Sequence, residues 1–259
     1  MNSRIIFGAC PLCGSKDIQK LLVADCSRHP IYKPVINPQM VWMTCSTCGH
    51  IFTEGYWTEE ALNVLFTETL DIQKVGFDHV TQRSVSARMI EKVLNYASDG
   101  YWLDVGFGNG SLLFTAQEYG FAPVGLDLRA ESVHAMTELG VESYCVDILQ
   151  LEQWGRFSVI SMADVLEHMP YPGPALDAAY RLLRENGVML LSMPNSETII
   201  WKAWEAHNAN PYWGEMEHYH NFSRTRLWSL LREKGFEPIR YGISERYLSC
   251  MEIVARKSA

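Results

Sequence analysis

No stretch of this sequence approaches the ~18 consecutive apolar residues that a membrane-spanning helix needs, so a membrane span is not expected. Positive charge is also scarce: 22 Lys and Arg stand against 30 Asp and Glu, a formal net charge of −8. That balance argues against a broad surface for nucleic acid or anionic lipid, since both demand an excess of cations. Met1 to Phe7 has neither the apolar core nor the small-residue cleavage site of a secretory signal, and the cytoplasm is the expected compartment. Internal repeats and low-complexity tracts are lacking. Hydrophobic residues at 47% place the chain among ordinary globular proteins.

Cysteine is not scarce but is unevenly placed. Of seven, four form two pairs, Cys10-Pro-Leu-Cys13 and Cys45-Ser-Thr-Cys48, each followed by glycine. In a reducing compartment such pairs indicate a metal rather than disulfides. Each tight turn brings two thiolates to one ion, and four thiolates close a tetrahedral structural zinc site at Cys10, Cys13, Cys45 and Cys48. A redox pair or an iron site is the alternative. Residues 1–57 otherwise contain short strand-like runs (Ile18 to Val23, Met40 to Thr44), too little to build a core without such a staple. A zinc ribbon over 1–57 is therefore expected. With five basic and three acidic residues it makes no nucleic-acid clamp.

Residues 58–80 read as a connector. Val85, Met89, Ile90, Val93, Leu94 and Ala97 then recur at helical spacing, and Asp99-Gly100 stops that helix. From Tyr101 apolar strands and helices alternate: strands at Tyr101–Val105, Ala122–Asp127, Val141–Val146, Phe157–Ala163 and Val188–Met193, with helices near Ser111–Tyr119, Ala130–Leu139 and Ala175–Arg184. Alternation of this kind predicts α/β architecture with a parallel sheet covered on both faces. After a helix at Arg224–Lys234, Glu237–Gly242 and Cys250–Ala255 suggest an antiparallel finish.

The informative motif is Leu103-Asp104-Val105-Gly106-Phe107-Gly108-Asn109-Gly110-Ser111, where a strand gives way to a helix. Glycine there lets the backbone turn tightly and approach a ligand. A dinucleotide site prefers Gly-x-Gly-x-x-Gly, and here the third glycine comes one residue early. Charge separates the two readings further. Asp104 would repel a pyrophosphate, yet it favours the ammonium and sulfonium of S-adenosylmethionine, which has no phosphate. Asp127 ends the second strand about 20 residues on, where a carboxylate can take both ribose hydroxyls. Asp147 follows the third strand. It can accept from an adenine amino group, with Ile148 packing on the ring, or simply cap a helix; Leu128, next to Asp127, is a further cofactor-binding candidate.

Together Asp104-Val-Gly-Phe-Gly-Asn-Gly, Asp127, Asp147 and Ala163-Asp164-Val165-Leu166-Glu167-His168 resemble the ordered motifs of class I methyltransferases, nearest to the ubiquinone-biosynthesis O-methyltransferase-like group. The resemblance covers about residues 81–259. It implies a Rossmann-like seven-stranded sheet and S-adenosylmethionine as cofactor. It also implies that Asp104, Gly106, Gly108 and Gly110 hold the methionine part, Asp127 the ribose, Asp147 the adenine, and that Asp164 stands on the cofactor side. His168 is then the candidate general base, because an imidazole titrates near neutrality, with Glu167 and His220 as further catalytic candidates. Some relatives bind a divalent metal with an acid-x-x-Glu-His segment and a later histidine, which would fall on Asp164, Glu167, His168 and His220.

Residues 195–221, rich in Trp, Tyr and His, have no strand pattern and are expected to form a lid that builds the acceptor site. Polar residues of the ribbon loop (Asp25, Arg28, His29 and Tyr32) are expected to reach the same acceptor. By analogy with zinc-ribbon methyltransferases of similar layout, the acceptor is expected to be a small polar molecule, first a sugar or glycan precursor and second a quinone or phenol. A non-catalytic binding factor is the reading from a different class.

Overall fold

The computed structural model describes residues 3–65 and 71–258, so the expected connector at 58–80 falls partly outside the described residues. The chain divides into two compact units. One comprises Met1–Glu68, Glu167–Pro172 and Pro194–Leu230, and the other Thr69–Leu166, Gly173–Met193 and Leu231–Ala259.

The first unit opens with strands β1 (Arg4–Ile6), β2 (Ile18–Asp25), β3 (Gln39–Cys45), β4 (Ile51–Thr53) and β5 (Gly55–Trp57), then helix α1 (Glu59–Leu65). β1 pairs antiparallel with β5, and β2, β3 and β4 form an antiparallel meander. Burial alternates along β3, which turns Met40 and Trp42 inward, as the two-residue period of a strand requires.

In the second unit α2 (His79–Val93) precedes β6 (Tyr101–Val105), α3 (Ser111–Glu118), β7 (Ala122–Leu126), α4 (Ala130–Glu138), β8 (Glu142–Tyr144), β9 (Phe157–Ala163), α5 (Pro172–Leu182) and β10 (Leu183–Pro194). Helix α2 begins and ends earlier than its apolar spacing suggests, and β8 is half the expected length. The remaining elements are α6 (Ile199–Ala206), β11 (His220–Asn221), α7 (Arg224–Glu233), β12 (Phe236–Ile243) and β13 (Cys250–Lys257).

The sheet of the second unit has the order β12-β13-β10-β9-β6-β7-β8. Strands β6 to β10 pair in parallel, and β12 meets β13 antiparallel. This is the expected seven-stranded α/β architecture. Every residue of β9 is buried, as a strand covered on both faces must be. The strand order reverses between β6 and β9. In open parallel sheets ligands bind at such a reversal, beyond the carboxyl ends of the strands. Gly106–Gly110 and Ala163–Asp164 follow those two ends.

The aromatic segment departs from expectation. Residues expected to form a strandless lid on an 81–259 domain supply α6, a 3₁₀ turn at Pro211–Gly214 and strand β11. Strand β11 pairs antiparallel with β4 and completes the N-terminal sheet in the order β11-β4-β3-β2. The N-terminal unit therefore does not end at residue 57. The physical reason lies in its core: Ile36, Met40, Trp42, Trp57 and Ala61 are buried together with Met216 and Tyr219. The indole N–H groups of Trp42 and Trp57 donate to the carbonyls of Trp213 and Met216, each at 2.8 Å.

Candidate functional site

In the second unit the chain leaves β6 and turns through Gly106–Gly110 into α3. Gly106 and Gly108 have φ of +67° and +57°, a region costly to any residue with a Cβ. At Gly106 a Cβ would also stand 2.9 Å from the Val165 side chain. Asn109 pins the turn by accepting from the Ser111 N–H (3.1 Å).

Asp104, 4% exposed, is the innermost acid of this region. Burial lifts its pKa to about 7, against the Ser161 hydroxyl that donates to Oδ1 at 2.5 Å and the charge of Arg246. A carboxyl held near neutrality in a pocket ionises readily when a cation arrives. The pocket is lined by Gln82, Ser86, Asp104, Asn109, Ser111 and Arg246, with apolar neighbours.

The other acids are each engaged. Asp127 holds Arg129 in a two-point pair, Nε to Oδ1 at 2.9 Å and Nη2 to Oδ2 at 2.7 Å. Arg129 also donates to the carbonyls of Gly108 and Gln73 (3.3 and 3.2 Å). Asp147 caps the 3₁₀ turn Ile148–Gln150 by accepting from Leu149 N–H at 2.8 Å. Ile148 is turned into the core, whereas Leu128 is 71% exposed beside Asp127. Asp164 has φ of +58°, a strained conformation for a residue other than glycine. Its Oδ1 accepts from Ser192 Oγ at 3.0 Å, and burial raises its pKa although Arg246 and Ser192 oppose this.

In the first unit Glu167, His168 and His218 place potential ligand atoms within 4.8 Å of one another. His168 Nδ1 lies 2.9 Å from the Glu217 carbonyl. A carbonyl only accepts, so Nδ1 carries the proton and Nε2 keeps its lone pair. Burial lowers the His168 pKa to about 4. His218, 8% exposed, is pushed well below the usual imidazole range by burial and by His168, and its Nδ1 has no hydrogen-bond partner among the described residues. His29 meets Glu215 at 2.5 Å, with Glu217 close by.

His220 behaves differently from expectation. Its Nε2 faces the Met169 carbonyl (2.9 Å) and its Nδ1 faces His50 Nε2 (2.9 Å). The proton must sit on Nε2, so His50 donates to Nδ1 and both nitrogens are engaged. Fully buried and with a pKa of about 4, His220 is a brace between β11 and β4, without a nitrogen to spare for substrate or metal. His218, two residues earlier, is the histidine that joins Glu167 and His168. A strand alternates its faces, and the sequence alone did not reveal that His220 begins one.

The four paired cysteines converge. Cys10 Sγ and Cys48 Sγ are 3.7 Å apart, Cys13 Sγ and Cys45 Sγ 3.6 Å, and all four sulfurs lie within 4.8 Å of one another. The two turns match: Gly14 N–H bonds to Cys10 O and Gly49 N–H to Cys45 O, at 2.9 and 2.8 Å. Zinc–sulfur bonds of ~2.3 Å in a tetrahedron set sulfurs about 3.8 Å apart, so the thiols fit such an ion. Cys26 and Cys250 are buried apart from this cluster, and Cys145 is exposed.

A family model described as a methyltransferase domain matches residues 78–241. The chain belongs to this methyltransferase-domain family. The ubiquinone biosynthesis O-methyltransferase of Psychrobacter cryohalolentis is 34% identical over 103 residues, 36% of this chain and 40% of that protein. The enzyme of the same name from Rhodopseudomonas palustris is 28% identical over 131 residues, 47% of this chain and 51% of that one. The match thus spans about two fifths to one half of these curated relatives. Among solved structures, the Burkholderia thailandensis 1,6-didemethyltoxoflavin-N1-methyltransferase, with its substrate and S-adenosylhomocysteine bound, aligns with a TM-score of 0.53 at 20% identity, covering 70% of this chain and 80% of that one. The magnesium protoporphyrin IX methyltransferase of Synechocystis aligns with a TM-score of 0.53 at 20% identity, covering 69% and 84%. These likenesses concern the fold.

Two residues of this methyltransferase domain were not singled out from sequence. Arg129 follows Asp127 by two positions, a spacing that could have flagged it. Arg246 lies on the turn between β12 and β13, far along the chain from Asp104, and no local signal connects them.

Proposed function

We propose that the chain transfers the methyl group of S-adenosylmethionine to a hydroxyl oxygen of a small polar acceptor. The observation that carries this reading is the buried Asp104 beside the glycine turn: a carboxyl there suits a cationic, phosphate-free donor and opposes a diphosphate. When bound, the cofactor supplies an electrophilic methyl on a sulfonium. The residues would hold it as follows. Gly106, Gly108 and Gly110 let the backbone approach the methionine part, and Asp104 offers its carboxylate to the ammonium. Asp127 serves the ribose hydroxyls in place of, or alongside, Arg129. Leu128 presents an open apolar surface for the adenine, and Asp147 has one carboxylate oxygen beyond its capping bond.

His168 is the proposed general base. Its Nε2 lone pair is set by the bond to Glu217, and burial keeps the ring in the neutral, proton-accepting form at working pH while making it a weaker base than a free imidazole. Glu167 is proposed to orient the imidazoles of His168 and His218. The names of the curated relatives favour a phenol-type hydroxyl. A sugar hydroxyl is the competing acceptor. The four-cysteine cluster is proposed to hold one structural zinc ion.

Calorimetry with S-adenosylmethionine and NAD, followed by labelled-methyl transfer to catechols and to nucleotide sugars, tests the reading. Binding of the first cofactor alone, with label on a catechol oxygen, is the expected result. Preferential NAD binding would overturn it, and cofactor binding without transfer to any acceptor would favour the non-catalytic reading.

A further inference from the structure

The turn between β12 and β13 is held by buried hydroxyls. Ser244 Oγ accepts from the backbone N–H groups of Arg246 and Tyr247 at 3.2 and 3.3 Å, and lies 3.0 Å from Ser192 Oγ. Ser192 in turn donates to Asp164 Oδ1. Because the Ser192 proton goes to Asp164, Ser244 must donate to Ser192, and the direction of the whole chain follows. Both serines are at most 1% exposed, so water does not compete for these bonds. Arg246 Nη1 completes the frame by donating to Ala163 O at 3.2 Å and lying 3.5 Å from Asp164 Oδ2.

Arg246 is thus fixed through one nitrogen, and a guanidinium has further donors in the same plane. It lines the same pocket as Asp104. One buried carboxyl and one anchored guanidinium in a single pocket are complementary to a zwitterion: the first suits an ammonium, the second a carboxylate in two-point contact. The remaining polar lining (Gln82, Ser86, Asn109 and Ser111) is uncharged, so nothing else there answers a carboxylate's charge.

We infer that Arg246 binds the α-carboxylate of the donor's methionyl part while Asp104 takes its α-ammonium. The inference rests on the donor assigned above. The network from Asp164 through Ser192 to Ser244 acts as a positioning device for this clamp.

Calorimetry with S-adenosylhomocysteine, its decarboxylated analogue and 5′-methylthioadenosine tests the inference on the full chain. The protein should prefer S-adenosylhomocysteine over the decarboxylated analogue by at least about tenfold, the range for one charge-assisted contact. Arg246→Met should weaken S-adenosylhomocysteine ~10- to 100-fold and leave the other two ligands within about twofold, removing the discrimination. Arg246→Lys, which keeps the charge but not the fork, should fall between and guards against misfolding of the first variant. Parallel loss of all three ligands, or no loss of any, would overturn the role of Arg246 while leaving the donor intact. If the unaltered protein bound none of the three, the donor assignment itself would fall and take this inference with it.

Discussion

The two units differ in the ionisable groups gathered at their candidate sites. Around the seven-stranded sheet they are carboxyls, Asp104, Asp127 and Asp164, each braced by a hydroxyl or a guanidinium. In the first unit they are chiefly imidazoles, His50, His168, His218 and His220, beside the buried carboxyl of Glu167, and burial pushes all four rings toward the neutral form. Desolvation disfavours the charged form in both cases, but the consequences differ. A buried carboxyl such as Asp104, lifted by burial to about 7, ionises when a cation arrives. Neutral imidazoles offer lone pairs and ask for no counter-charge. In the function proposed above, donor binding falls to one unit and proton handling to the other.

The strongest test of that division lies in the cysteines. Removal of zinc, or Cys45→Ser, should collapse the first unit, because a structural tetrathiolate site contributes on the order of 10 kcal/mol to the folding of so small a core. Elemental analysis should find one zinc per chain, and near-ultraviolet circular dichroism should lose its tryptophan bands on chelation. Unchanged spectra after complete zinc loss would break the comparison at its root.

Next in size, His168→Ala should lower kcat by 10²- to 10⁴-fold, the usual span for a general base, with donor affinity unaltered. An equal fall in donor affinity would mean that this imidazole is not specific to proton transfer.

The buried His50–His220 pair sharpens the contrast through pH. His220 titrates near pH 4 when folded and near 6.5 when unfolded. Below pH 6.5 the unfolded chain takes up a proton that the folded one refuses, so stability falls as pH drops toward about 4 and then levels. This one group accounts for about 3 kcal/mol over that window. Melting temperatures followed from pH 7.5 to 4 should show a shallower decline in His220→Asn than in the unaltered protein. Identical slopes would exclude His220 from the effect.

The smallest effect expected concerns Asp104. With its pKa near 7, only the ionised form meets the ammonium, so donor affinity should weaken as pH falls below about 7. Asp104→Asn should lower affinity ~10- to 100-fold and abolish the pH dependence. A variant that stays pH-dependent would assign the titration to another group.

Much of the donor unit was legible in the sequence because its information is local. Each strand there is a short apolar run followed by its own helix, and Asp104, Asp127 and Asp164 each sit at a strand end that periodicity alone locates. The shortfall appeared where a side chain finds its partner far along the chain. Asp104 was legible, yet Arg246, which shares its pocket, lies 142 residues along the chain. The cysteine pairs were visible in the sequence, and the fold brings their four sulfurs within 4.8 Å of one another. The histidines of Glu217-His218-Tyr219-His220 are all visible in the sequence, but only the fold shows that both nitrogens of His220 are engaged by His50 and Met169 while His218 stands beside Glu167 and His168.

The residues by themselves determined the alternating α/β architecture, the glycine turn with its acids and the convergence of four cysteines, because backbone period, turn sterics and thiolate chemistry act over a few residues. Tertiary structure decided that residues 194–230 complete the N-terminal unit, that His220 is a brace and His218 a partner of His168, and that Arg246 shares a pocket with Asp104. Those outcomes depend on burying Trp42, Trp57 and Met216 in one core and on closing a hydrogen-bonded frame of serines. The core joins indoles to carbonyls 159 and 171 residues away, and the frame joins groups 28 to 83 residues apart.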